Sequence, residues 1–572
     1  MTACHDSAWG AIAVVDRNRG LDGREPILHI WPPEAIDLVG TSTGASYDNL
    51  LQLTRKFEDP WPLEGGEMPV LLASGTIPPG TAWPCAEDGS TLPSGVTGLW
   101  LLEPQGEMTL LLTDPVGCFD AQPLIPSEEP PSIVQRVDLS QSTGAFYVTD
   151  VRQGFGMEKV PPDMPKYLRV VESPEKRYWV VPGWIGADHK GAVQYPAVTW
   201  NDFGTKRVLG EVPIESDGSV FVEVPADRFV YFQLLDENHH MIQSMRSGVI
   251  VRPGETNGCF GCHEDRLETP VSPTTTALAM RKSPQKLLLP FDEPVHDYSY
   301  TAEMQPILDR YCVVCHDVGT GDGRVDETLR KKASAKRIFA SDLLPCFNRS
   351  YWEIRFHNDV NVPGSGFAPK LEPLVWGARQ SRLFHVFANG HSDETIDSVR
   401  RQLRLIPDAE TLRRVATWID LNAPYYPVYS SNYPENPYGR SPLTFAETDE
   451  LQKLTRFLPT GDELALGNRP EKMFDGSVWF TRPELSPVLE KWRTPEEKAS
   501  PEYTRALELI QAGQARLAEN PRADMPGWSI TNPDELRRGA IYDRSREKER
   551  RMRQAVLRGE KLSDADNAAF PE

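Results

Sequence analysis

Two pentapeptides set a pair of thiols three residues apart with an imidazole directly behind the second: Cys259-Phe-Gly-Cys262-His263 and Cys312-Val-Val-Cys315-His316. At that spacing the two thiols bond the two vinyl groups of one haem while the histidine reaches the iron, so all three chemical residues are used. The motifs predict a dihaem c-type cytochrome. Cys259, Cys262, Cys312 and Cys315 are its expected thioether anchors, and His263 and His316 its proximal iron ligands. A zinc site built from the four cysteines is the competing reading, but zinc ribbons space their CxxC pairs about 15–20 residues apart. Here the pairs flank a change from β to α periodicity. A thioredoxin-like dithiol needs a βαβ setting that neither motif has.

The sixth iron position decides between electron transfer and reaction at the metal. For the second haem the sequence favours His391, in LFHVFANGH, with Met525 in Asp524-Met-Pro-Gly527 as its rival. Their ordinary readings are a surface histidine after a glycine and a tail methionine packed on the core. No residue is singled out for the first haem. His189, His239 and His240 are the histidines of that region, where hydrogen-bonded structure is the commoner role. Arg246 either faces a haem propionate or is a surface charge. Gly319-Thr-Gly-Asp-Gly323 lacks the Gly-Lys-Ser/Thr ending of a phosphate loop and reads as a turn after the haem helix. Gly40-Thr-Ser42-Thr-Gly44 fits GxSxG but sits among short antiparallel strands rather than in an α/β sheet.

These sites need elements to hold them. The 572 residues exceed what one core supports, so three or four domains are expected. From Trp9 to about Ser127 short apolar runs (AIAVVD, ILHIWP, VLLASG, GLWLLEP, EMTLLLTD) alternate with turns and read as antiparallel strands. A linker is expected at Glu128–Pro131. Next comes a β-rich, sandwich-like region in which Asp217-Gly218 predicts a hairpin, with Val220, Val222 and Val224 on one face. A strand over Ser247–Arg252 leads to the first motif. Met304, Ile307, Leu308 and Tyr311 then follow a helical period into the second motif. A second amphipathic helix spans Asp408–Leu421, capped by Asp408, with Leu412, Val415, Ala416 and Ile419 as its stripe. The tail, 441–572, is polar, with a helical stretch at Pro501–Leu517 and a mixed-charge run at Asp543–Arg558.

Charge and cysteine usage narrow the class. With 61 Lys and Arg against 82 Asp and Glu the net charge is -21, which argues against a nucleic-acid partner and suits a basic redox partner or none. No apolar run reaches the ~20 residues of a membrane span. Cys4, Cys85, Cys118 and Cys346 lack CxxC partners, so no disulfide framework is read. Covalent haem is attached on the exported side of bacterial membranes, which predicts a periplasmic or otherwise exported protein. Met1–Gly20 lacks a signal segment, so the native N-terminus is expected to lie further upstream.

The stretch Phe146–Glu264, with FYVTDVRQG, LRVVES, LGEVPIESDGSVFVEVPADRFVYFQLLDENHHMIQSMRS and RPGETNGCFGCHE, resembles the middle domain of the hydrazine synthase alpha subunit-like family. ILDRYCVVCH and TWIDLNAPYY resemble that family's following cytochrome c domain. The resemblance implies a multidomain fold: 1–127 as the C-terminal blades of a truncated β-propeller, 128–288 as the β-rich middle domain, 289–440 as a cytochrome c-like domain and 441–572 as the tail. It implies two haem c groups in an oxidoreductase acting on small nitrogen compounds, partnered by a redox protein or by the other subunits of a haem enzyme complex. It also puts Cys118 at the propeller exit, where the family holds a zinc ligand, although a buried inert thiol is the simpler reading. The family places an iron-ligating tyrosine four residues beyond the first motif's histidine. This chain has Leu267 there, so His263 keeps its ordinary role and hydrazine synthesis itself is not expected.

Overall fold

The computed structural model describes residues 10–20, 23–40, 49–63, 70–78, 95–124, 131, 134, 136–176, 204–262, 264, 276–318, 324–334, 338–363, 371–455 and 476–560. They form two compact units, Met1–Ile133 and Val134–Glu572.

In the first unit, β1 (Ile12–Val15) pairs antiparallel with β2 (Ile27–Trp31). A four-stranded antiparallel sheet has the order β3 (Phe57–Leu63), β4 (Val70–Thr76), β5 (Thr97–Leu102), β6 (Met108–Thr113). Neither sheet closes on itself. The unpredicted strand is β3, FEDPWPL. Its prolines interrupt any apolar alternation, and they are tolerated because β3 lies at an edge, with a register shift between Glu58 and Trp61. Phe57, Trp100 and Leu102 fill the core, and the rings of Phe57 and Trp100 meet edge to face at 5.7 Å.

The second unit begins with two sheets over one apolar core. One has the order β10 (Val220–Pro225), β7 (Thr143–Val148), β13 (Thr256–Cys259); the other runs β12 (Met241–Ser244), β11 (Val230–Leu235), β8 (Tyr167–Glu172), β9 (Arg207–Pro213). Val220, Val222 and Val224 are buried as their alternation predicts, and they share the core with Leu168, Val170 and Phe232. The expected hairpin is corrected: β9 and β10 flank Asp217-Gly218 but belong to different sheets. Asp217 binds the backbone N–H of Ser219 and of Leu278, and the Gly218 carbonyl accepts from Val151 at 2.9 Å. These ties lean the turn on the end of β7, so β10 pairs with β7. The strand expected at Ser247–Arg252 reduces to one bridge, Val230 with Val249, and the strand proper is β13, parallel to β7.

Helices follow: α1 (Tyr300–Glu303), α2 (Gln305–Tyr311), α3 (Glu327–Ser334), α4 (Arg349–Phe356), α5 (Arg382–Asn389), α6 (Glu394–Gln402), α7 (Ala409–Asp420), α8 (Phe445–Thr455), α9 (Pro495–Lys498), α10 (Pro501–Glu519) and α11 (Pro533–Leu557). The helix expected before the second motif is broken into α1 and α2. Pro306 lacks the N–H that would continue it, while Met304 and Leu308 stay fully buried. Asp408 caps α7 by accepting from Thr411 N–H at 2.8 Å, and Val415, Ala416 and Ile419 are buried. Among the described residues, no helix is long and apolar enough to cross a membrane.

Sandwich and helices are pinned by a buried polar network. Arg169 on β8, with no solvent exposure, donates to Glu211 on β9 at 2.9 Å, to Gln233 on β11 at 3.3 Å and to Thr417 on α7 at 3.2 Å. Gln233 donates to the Asp420 carbonyl at 2.7 Å, and the Asp420 carboxylate accepts the N–H of Met241 at 3.0 Å and of Ala378 at 2.7 Å. Burial raises the Glu211 carboxyl, but Arg169, His239 and Arg413 together outweigh it and hold the group at about 2. Burial pushes Asp420 up to about 6, against its two N–H bonds and the charges of Arg169 and Arg379.

Removing Glu211 strands a buried guanidinium, so Glu211→Ala is expected to lower the unfolding free energy by about 3–5 kcal/mol. A urea titration showing under ~1 kcal/mol would discount the pin. The two carboxylates give opposite pH slopes. Glu211 contributes fully above its ordinary 4.5 and loses that contribution as pH falls toward 2, whereas Asp420 contributes below 3.8 and loses it as pH rises through 6. Unfolding free energy measured from pH 2 to 7 should therefore level off or turn over between 4 and 6, and in Asp420→Ala the falling arm should shrink to the part contributed by Glu535, which burial pushes up to about 7.

Candidate metal centres

The second motif continues α2 by an irregular turn. Cys312 N–H donates to the Leu308 carbonyl at 2.8 Å, and Cys315 and His316 N–H both donate to the Cys312 carbonyl at 3.0 Å. The turn thus gathers two thiols and an imidazole. Cys312 packs on the helical core with Leu308 and Val415, while Cys315 joins Val325, Ala333, Val399 and Leu403. Burial pushes the Cys312 thiol up to about 12. The Met304–Leu308 face of the preceding helices carries this motif's backbone into the core.

His316 is buried, its ring 5.0 Å from Phe339, whose N–H donates to the His316 carbonyl at 2.8 Å. The ring of His391 lies 6.2 Å from that of His316, centroid to centroid, with the planes 20° apart. An imidazole–metal–imidazole unit spans about 6 Å, from two metal–nitrogen bonds of about 2 Å and two ring radii of about 1 Å. His391 follows Gly390, which ends α5 at φ +89°. A Cβ on Gly390 would lie 2.2 Å from Asp397 Oδ1 and 2.8 Å from Arg400 Nη1. The His391 N–H donates to Asp397 Oδ1 at 3.1 Å. Met525 belongs to another apolar cluster, with Tyr433, Phe480 and Leu509.

The first motif ends a strand rather than a helix. Cys259 closes β13, and the carbonyls of Cys259 and Phe260 accept from Thr149 and Asp150 at 3.0 Å, while Cys262 N–H donates to the Gln153 carbonyl at 2.8 Å. A Cβ on Gly261 would meet the Gln153 carbonyl oxygen at 2.5 Å, so the loop lies flat on residues 149–153. Cys259 and Cys262 pack on the sandwich core, apart from the helical core of Cys312, and burial pushes the Cys262 thiol up. All four motif cysteines are free thiols. His263 and Leu267 lie outside the described residues, as do His189, Ser42, Cys4, Cys85 and residues 319–323.

Other singled-out residues have structural neighbours. His239 Nδ1 lies 2.5 Å from Glu211 and its ring stacks on Tyr167 at 4.3 Å; the His240 ring meets Phe384 edge-on at 4.9 Å. Both therefore sit in the seam between sandwich and helices. Arg246 is half-buried near Tyr231, and its Nη1 is buried with no hydrogen-bond partner among the described residues. Cys118 is partly buried, its Sγ 3.9 Å from the Leu112 carbonyl, and burial raises its thiol. Cys346 is buried in the helical core. Sequence reasoning missed Asp397 and Arg400, although Asp397, Arg400 and Arg401 at i, i+3 and i+4 carry the pattern of a helical ion pair.

Residues 164–264 match the family model described as the hydrazine synthase alpha subunit middle domain, so the resemblance to a hydrazine synthase alpha-like family holds for this stretch. Among solved structures the chain is similar to Kuenenia stuttgartiensis hydrazine synthase, at 15% identity and a TM-score of 0.41, over 65% of this chain. It spans 55% of the length of that chain. A search of the curated proteins finds no match.

Two glycines separate backbone strain from crowding. Gly390 and Gly527 both have positive φ, but a Cβ on Gly527 meets nothing within 4 Å. Gly527→Ala should cost about 1–2 kcal/mol for the left-handed backbone alone, and Gly390→Ala clearly more. Equal losses in thermal unfolding would mean that the turn bearing His391 is not packed as described.

Proposed function

We propose that this chain is a c-type cytochrome with two covalent haems, the haem-bearing part of an exported oxidoreductase related to hydrazine synthase alpha and acting on small nitrogen compounds. The observation that carries the reading is the 6.2 Å spacing of His316 and His391 directly behind the Cys312–Cys315 thiols. It has the span of two imidazoles on one metal, at the residues where the motif puts an iron. The match over residues 164–264 supports the family and, through it, the class of substrate.

In this reading Cys312 and Cys315 would anchor the second haem, and His316 and His391 would hold its iron. Cys259 and Cys262 anchor the first, with His263 as its proximal ligand. Bound haem supplies a one-electron iron couple. The chain's own residues do the rest: the helical core excludes water around Cys312, the α5–α6 turn fills the side opposite His316, and the β13 loop holds the first pair of thiols against residues 149–153. Held by His316 and His391, the second haem would serve as an electron relay, and the first would be where a substrate reacts. The sequence-based domains go with this assignment: 1–127 as terminal propeller blades, 128–288 as the haem-bearing sandwich, 289–440 as the cytochrome c domain. A redox protein or companion subunits would exchange electrons with it. The unpartnered Nη1 of Arg246 suits an anionic group such as a propionate.

The test is a pyridine haemochrome assay with denaturing mass spectrometry on protein matured in a host with cytochrome c assembly machinery. Two covalent haems per chain are expected, and Cys312→Ser/Cys315→Ser should retain one. No covalent haem, with zinc bound instead, would make the chain a zinc-stabilised protein and overturn the proposal.

A further inference from the structure

The proposed ligand His391 lies in a short turn between α5 and α6, where a histidine would ordinarily be free to swing. What holds it is a clamp under the turn. The His391 N–H donates to Asp397 Oδ1 at 3.1 Å. The same carboxylate accepts from Arg400 Nη1 at 3.2 Å and from Arg401. Two further Arg400 donors go to backbone: Nη2 to the Phe387 carbonyl at 2.8 Å, in the last turn of α5, and Nε to the Leu405 carbonyl at 3.1 Å, beyond α6. Its guanidinium therefore ties together the helix before His391, the helix after it and the carboxylate beneath it. Asp397 and Arg400 are both largely buried, so water competes poorly for these bonds. The lack of room for a Cβ on Gly390 shows how closely the clamp fits the turn.

The same helix touches the other end of the centre. Val399 of α6 and Leu403 just beyond its end pack against Cys315, so α6 carries a wall of the thiol anchor and the support of the opposite imidazole together. Building on the haem reading above, we infer that Asp397 and Arg400 are positioning residues that keep His391 opposite His316 and so keep the second iron closed to added ligands. Neither residue touches the metal. Without the clamp, the turn loses the tie from the His391 N–H to α6 and the iron would open on that side.

The experiment uses the full-length dihaem protein and two readouts, the ferric low-spin EPR signal of a bis-imidazole haem and the Soret change on adding carbon monoxide to the reduced protein. His391→Ala sets the scale, by losing that EPR signal and gaining a carbon monoxide response absent from the unmodified protein. Asp397→Ala and Arg400→Met should each reach at least about half of that gain, while Asp397→Asn, which keeps an oxygen for the His391 N–H, should remain close to the unmodified protein. Circular dichroism and covalent haem content confirm that the variants are folded and loaded. The clamp is overturned if His391→Ala opens the iron but Asp397→Ala and Arg400→Met behave like the unmodified protein. If His391→Ala itself changes neither readout, His391 is not the ligand and the inference falls with that assignment. Absence of covalent haem from the unmodified protein is the separate failure of the functional reading.

Discussion

A guanidinium with no water around it must be matched group by group, and Arg169, on β8, is matched from two other strands and one helix. Its partners on β9, β11 and α7 are the elements whose relative placement brings the β-rich and helical parts of the second unit into one body. Gln233 and Asp420 extend the network to the end of α7 and to the backbone at Met241 and Ala378. Arg413 and His239 close it on Glu211 from the α7 side. Such a network adds less stability than its bonds suggest, because the charges were well solvated before folding. Its force is directional: a seam filled by leucines could slide, whereas this one has a single register. Each motif is built on one side of that seam.

The tail is held by a similar device. Arg522 and Asp524 are fully buried, and Arg522 donates to the Leu344 and Pro345 carbonyls at 2.7 and 2.9 Å while Asp524 accepts from the Tyr425 hydroxyl at 2.6 Å. Tyr425 packs against Tyr300 and Tyr351 in the core beneath the second motif. This explains where Met525 goes. Its neighbour Asp524 is committed to the helical core, and the methionine turns into the tail's own cluster with Phe480 and Leu509.

Local patterns were legible where one physical cause acted alone. The alternating valines of β10, the amphipathic stripe and Asp408 cap of α7 and the tail helix α10 all follow from period and capping, whereas α11 was legible only as a mixed-charge run. Patterns misled where a second cause intervened. Pro306 removes one donor and splits a helix whose apolar period continues undisturbed. Asp217-Gly218 is chemically a hairpin turn, yet its side-chain and carbonyl bonds tie it to β7 and to Leu278, and the next strand changes sheet. The proline-rich β3 carries almost no strand signal, since an edge strand needs only one of its two hydrogen-bonding sides.

By itself the sequence determined the chemistry on offer: two sets of thiols and imidazoles at a spacing fixed by covalent geometry, and a β-rich stretch of recognisable family character. Those features are local, a few residues long, and survive any rearrangement around them. Only the tertiary structure decided which distant histidine faces His316, because that depends on how α5 and α6 pack beside Cys315 and on the Asp397–Arg400 pair beneath Gly390. Spacing along the chain names what a residue can bind; whether a second residue some 75 positions away meets it is set by packing, which no single stretch of sequence contains.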